Sequence, residues 1–199
     1  MEELSRCEFV SRGARGGIAL IAGGALLGLA TPARADEAPP AEEDLALVRL
    51  AASAELLAID FYTQAIAARS FEKGNRGYLS EARANEREHY AALAQVLGPA
   101  APVADDFQFT YPEGTFSSQT KAVNVGVQLE TAFRGTYLGA VGGFLSNDFK
   151  SVAGQIGASE AQHQSVLLGI RGSSPIGPSF PPTLDVEAAS VALDPYLGD

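Results

Sequence analysis

Residues 79–96 read LSEARANEREHYAALAQV, and the placing of Leu79, Ala82, Glu86, His89, Leu93 and Val96 within it decides the fold. Alternate steps of three and four residues put all six on one face of an α-helix. Two of the six are polar: Glu86 and His89 stand where a core-facing stripe carries hydrocarbon. The same period returns three more times. Leu45, Val48, Ala52, Glu55, Ile59, Tyr62 and Ile66 form a stripe before it. Val123, Val127, Glu130, Arg134, Tyr137, Val141 and Phe144 form one after it, and Ala153, Ile156, Glu160, His163, Leu167 and Ile170 form the last. Four amphipathic helices between residues 41 and 172 make an all-α four-helix bundle the expected fold.

The connections set the topology. Ser70–Asn75 is a short link, so the first two helices should be antiparallel neighbours. Gly98-Pro99 ends the second helix. The stretch from there to about Ser118 is too long for a tight turn and suits a crossover between parallel second and third helices. A brief break at Ser146-Asn147-Asp148 separates the last pair, with Ser146 or Asn147 as N-cap. Gly126, Gly135, Gly139, Gly142 and Gly143 each cost the third helix about 1 kcal/mol against Ala, so either close packing compensates or the helix bends. Residues 173–199 form a Ser/Pro/Gly-rich tail with a short amphipathic helix at Val186–Leu193, expected to pack on the outside of the bundle.

Ahead of the bundle, Arg6, Arg12 and Arg15 precede an uncharged run from Ile18 to Ala30, and Ala33-Arg34-Ala35 offers a cleavage site. This order marks residues 1–35 as an export signal peptide, followed by a linker at 36–40. The run is too short for a comfortable membrane span. Ser5-Arg6-Cys7-Glu8-Phe9-Val10 resembles a degenerate twin-arginine signal, with Cys7 in place of the second Arg. Export would place the mature chain in the periplasm or outside the cell, with no membrane attachment after cleavage. The formal net charge is −10, which argues against nucleic acid as a partner. Cys7 is the only cysteine, so the remainder has neither disulfides nor a thiolate metal site.

The polar residues of the four stripes then stand together. His89 and His163 are the only histidines in the chain, and each follows a glutamate by three residues. At that spacing both side chains leave one helix face and can converge. Glu55 and Glu130 occupy matching positions on the other two helices, and each has a tyrosine two turns on, Tyr62 and Tyr137. The chain therefore repeats one plan: a Glu with a Tyr, then Glu-x-x-His. Four ionised carboxylates in a core without compensating charge would each cost several kcal/mol. Two divalent cations balance them. Carboxylate oxygen with imidazole nitrogen suits iron first, manganese next, and also zinc. Tyr62 and Tyr137 read equally well as donors to the ligand carboxylates or one-electron relays, and as ordinary core-edge tyrosines. Arg134 reads chiefly as a rim residue with its stem buried.

These residues resemble the ferritin-like superfamily, in particular its exported single-domain members that include desiccation-related proteins. The resemblance runs from about Glu42 to Ile170. It rests on Glu55-Leu56-Leu57-Ala58-Ile59-Asp60-Phe61-Tyr62, Glu86-x-x-His89 and Glu160-x-x-His163, and extends to Phe180-Pro181-Pro182-Thr183-Leu184 and Asp194-Pro195-Tyr196 in the tail. Such bundles take a Glu from each of two helices and Glu-x-x-His from each of the other two. The resemblance implies that Glu86 and Glu160 bridge two metals, with Glu55 and His89 on one and Glu130 and His163 on the other. Met1 is the only methionine, so the haem ligand of bacterioferritins is missing, and no rubredoxin-type cysteines follow. The implied activity is that of a di-iron or di-manganese oxidoreductase acting on dioxygen or peroxide in oxidative-stress defence. The competing expectation is a non-catalytic, metal-binding stress protein. Assembly with further copies of the chain stays open.

Overall fold

The computed structural model describes residues 39–198; the expected export segment at 1–35 and most of the linker at 36–40 lie outside the described residues. Five α-helices follow one another: α1 (Glu42–Ala68), α2 (Arg76–Leu97), α3 (Gln119–Gly143), α4 (Asn147–Ile170) and α5 (Val186–Leu197). The described residues contain no strand. The expected all-α bundle with its crossover and short terminal helix is thus the fold observed. No described helix is long and apolar enough to cross a membrane.

Two apolar clusters fix the helix directions. One collects Val48 near the start of α1, Leu93 and Leu97 near the end of α2, Ala140 and Phe144 near the end of α3, and Val152 near the start of α4. α2 and α3 therefore finish at the same end of the bundle and run parallel. Residues 98–118 must travel back along its length. They do so through three single turns of 3-10 helix, with Phe109, Tyr111 and Phe116 packed on the other cluster beside Phe61. That second cluster holds Phe61, Tyr62, Leu79, Val123, Leu129 and Leu167. The stripe carboxylates and imidazoles lie on the helices between the two.

Local chemistry explains the ends. Ser118 and Ser146 cap α3 and α4, accepting from the backbone N–H groups of Lys121 and Phe149. Asp44, in the first turn of α1 and 1% exposed, accepts from the N–H groups of Leu145 and Ser146 at 2.7 and 3.0 Å. One buried carboxylate thereby ties the α3–α4 turn to the start of α1.

Close neighbours stand beside Gly126, Gly135, Gly139 and Gly143 but not Gly142, which is open, and α3 is one continuous helix. A Cβ at Gly126 would meet Leu167 and Phe61 at 2.9 and 3.0 Å. At Gly139 it would lie 1.8 Å from the Leu184 carbonyl oxygen. The tail's backbone crosses α3 at that point, and the Leu184 N–H donates to the Gly135 carbonyl at 2.9 Å. Beyond it, α5 packs on α3 and α1 with Ala189 and Leu193 fully buried.

Candidate metal centre

Each bundle helix delivers its polar stripe residues to one level between the apolar clusters. α1 supplies Glu55, α2 Glu86 and His89, α3 Glu130, and α4 Glu160 and His163. All six are buried, the carboxylates at 0–2% exposure and the imidazoles at 8% and 4%.

Their geometry forms two overlapping groups, each with ligand atoms within 4.8 Å of one another: Glu55, Glu86, His89 and Glu160, then Glu86, Glu130, Glu160 and His163. Glu86 and Glu160 belong to both. His89 Nδ1 lies 2.9 Å from Glu86 Oε2, 3.2 Å from Glu160 Oε1 and 3.5 Å from Glu55 Oε2. His163 Nδ1 lies 2.8 Å from Glu86 Oε1, 3.3 Å from Glu160 Oε2 and 3.8 Å from Glu130 Oε1. Each shared carboxylate thus turns one oxygen to each imidazole.

The electrostatics of this cluster favour added positive charge, whether protons or a cation. Among the described residues no Lys or Arg pairs with the four carboxylates; only the two imidazoles do. Glu86 Oε1, Glu130 Oε2, both oxygens of Glu160 and His163 Nδ1 are buried and have no hydrogen-bond partner. The 2.8 Å approach of His163 Nδ1 to Glu86 Oε1 is therefore a contact without hydrogen-bond alignment, with electron-pair donors gathered around a common space. Such orphaned buried atoms are rare unless an ion or water serves them. Burial, then the Glu160 and Glu86 charges, raise the Glu130 carboxyl well above its usual range. Burial acts to lower His163, but Glu160 and Glu86 outweigh it and push it up to about 9. His89 is raised further, with burial again opposing and Glu55 the foremost carboxylate. Without metal, the centre holds on to protons. Four carboxylates and two imidazoles fit a pair of divalent transition ions in donor type, number and charge.

Around this cluster the tyrosines are arranged crosswise. Tyr62 on α1 donates to Glu130 on α3, and Tyr137 on α3 donates to Glu55 on α1. Burial, followed by the adjoining carboxylates, raises both phenols well above their usual value, so both stay protonated. Three further polar residues were not singled out by the sequence. The Tyr78 hydroxyl is 2.7 Å from that of Tyr62 and donates to the His163 carbonyl at 3.1 Å. The Asn85 side-chain amide meets His163 Nε2 at 3.1 Å. Rotating that amide presents its oxygen to an Nε2–H and leaves the Nδ1 electron pair facing the carboxylates. Gln164 receives the Arg134 guanidinium and donates to Thr131. Arg134 is 7% exposed and bound to an amide, with none of the four clustered carboxylates as its partner.

A comparison with curated proteins finds no relative. Residues 43–173, which span all four bundle helices and all six clustered side chains, match the pattern of the ferritin-like domain. By that match the chain belongs to the ferritin-like domain family.

Proposed function

We propose that the protein holds two transition-metal ions with Glu55, Glu86, His89, Glu130, Glu160 and His163, and works as an oxidoreductase on dioxygen or peroxide. The carrying observation is the position of Glu86 and Glu160, each with one oxygen toward each histidine. In this reading Glu55, Glu86, His89 and Glu160 would hold one ion, and Glu86, Glu130, Glu160 and His163 the other. Iron suits the donor set first, then manganese, then zinc. A bound pair would supply one-electron chemistry at two adjoining ions and Lewis-acid activation of an O–O unit.

The chain's own groups do the rest. Tyr62 and Tyr137 hold protons against Oε1 of Glu130 and Oε1 of Glu55 and fix the direction of the carboxylates. Asn85 orients the His163 ring. The two apolar clusters keep bulk water from both ends of the centre, which strengthens every charge interaction inside it. The export signal read at residues 1–35 supports a role in oxidative-stress defence outside the cytoplasm.

Elemental analysis of the purified protein tests the centre: about two transition metals per chain are expected, and a folded, metal-free protein would refute it. Ferrous oxidation by dioxygen and turnover of peroxide test the reaction, with Glu86→Ala and Glu160→Ala expected to abolish both. The depth of burial of all four carboxylates also favours a second reading, in which the ions chiefly neutralise the core and hold the helices together. Full metal content with no turnover selects that one.

A further inference from the structure

On the tail between α4 and α5, Phe180 and Ile176 are 94% and 83% exposed. The stretch that carries them, Gly172 to Leu184, has no charged residue in a chain whose formal net charge is −10. Pro178 stands two residues before Phe180, and Pro181 and Pro182 follow it. Three fixed φ angles leave this segment little freedom to lose when the ring docks. Beside it runs a groove of about 280 Å³ between the start of α1, the end of α3 and the start of α5. Leu47, Leu50, Ala140, Leu184, Val186 and Ala189 line it, together with the exposed acidic residues Glu43 and Asp185. Among the described residues no Lys or Arg lines it. The bond from the Leu184 N–H to the Gly135 carbonyl holds segment and groove in a fixed relation.

We propose that this face pairs two copies of the chain about a twofold axis, with the Phe180 ring of each seated in the groove of the other. The room is there: a cavity of about 150 Å³ holds benzene, and the groove is larger. Phe180 is four residues from Leu184, at most about 14 Å along the chain, yet its ring stays out of its own chain's groove. With anchor and groove so close, one twofold operation fills both grooves and covers both rings. Charge favours the same contact. Two copies of a strongly acidic chain repel, and a groove with two carboxylates and no cation disfavours an acidic segment. The neutral stretch from Gly172 to Leu184 meets neither objection. The area also suffices. A buried Phe accounts for about 150–250 Å², the wall it covers for a similar amount, and the contact is made twice. Ile176 and Val186, the latter 52% exposed, bring the total toward the roughly 1,200 Å² of a stable interface. None of this depends on whether the buried centre holds metal.

Sedimentation velocity of the purified protein over rising concentration tests the pairing. A species of twice the chain mass is expected. Phe180→Asp alters a side chain that its own chain leaves exposed, so the helical circular dichroism should hold while the dimer dissociates to monomer. Val186→Glu, which adds a third carboxylate to the groove, should do the same from the other side of the contact. A monomer at every concentration overturns the proposal, and so does a dimer that survives Phe180→Asp. Species that keep growing with concentration would mean head-to-tail association and overturn the twofold arrangement. The contact itself is read by placing p-benzoylphenylalanine at position 180 in a mixture of light and heavy-isotope chains. Photo-cross-links to the segments 43–50 and 184–189 should join light chains to heavy ones. Cross-links confined to chains of one isotope, or directed elsewhere on the partner, overturn it.

Discussion

The hydroxyl of Tyr137 on α3 donates to the carboxylate of Glu55 on α1, and this bond joins the two helical hairpins at the level of the ligand cluster. Tyr62 and Glu130 make the reciprocal bond, so each hairpin lends a donor to the other's carboxylate. Tyr137→Phe keeps the ring and removes only the hydroxyl. Loss of such an outer partner weakens metal binding by about 10–100-fold. Zinc titration followed by calorimetry should show one of two sites weakened by that factor, with the helical circular dichroism unchanged. Equal weakening of both sites would contradict the half-site assignment.

Asn85 gives the matching prediction for the other half. Its side chain is the polar partner of His163 Nε2, across the bundle from α2 to α4. Asn85→Leu has similar bulk and cannot accept from the ring. The second zinc affinity should fall by about 10–100-fold, while Tyr137→Phe and Asn85→Leu together should weaken both sites in one protein.

Acidity separates the metal-free and loaded forms. His163 is raised to about 9 and Glu130 is raised as well. A group whose folded value lies above its unfolded one stabilises the fold at low pH and loses that contribution as pH climbs through the folded value. The metal-free protein should therefore become less stable between about pH 6.5, the ordinary histidine value, and about 9. Metal binding must displace the same protons, so zinc affinity should rise over that window. Urea midpoints at pH 6 and pH 9, with and without zinc, check both signs.

Two glycines that look alike in sequence should respond in opposite ways. Gly154 in α4 has open space where a Cβ would go, and Gly154→Ala should stabilise the protein by about 1 kcal/mol. Gly139→Ala would drive a methyl into the Leu184 carbonyl. The tail must then lift off α3, and limited proteolysis should cut within residues 173–185 while metal content is retained.

These contrasts show what a linear reading could and could not reach. Glu55, Glu86, His89, Glu130, Glu160 and His163 were legible because a charged residue in an apolar stripe is an anomaly along one helix. The crossover was legible from length alone. Asn85 and Tyr78 were not, because each flanks its stripe and finds its partner on another helix, at His163 and Tyr62. Arg134 lay on the stripe but its partner, Gln164, was hidden beside a histidine. The α3 glycines were visible as a cost; at Gly135 and Gly139 the benefit depends on a tail whose path no local pattern specifies.

The division of the six clustered side chains between α1–α2 and α3–α4 bears on how the molecule forms. Each hairpin has short-range contacts and a short connection, so each can zip up early and independently. Neither contains a whole ligand set, and neither meets the repulsion among four carboxylates until the two halves close. Closing the halves brings four buried carboxylates together, so protons or divalent ions should speed that last docking step. Refolding at neutral pH should accelerate with added zinc, while the earlier helical phase stays indifferent to it.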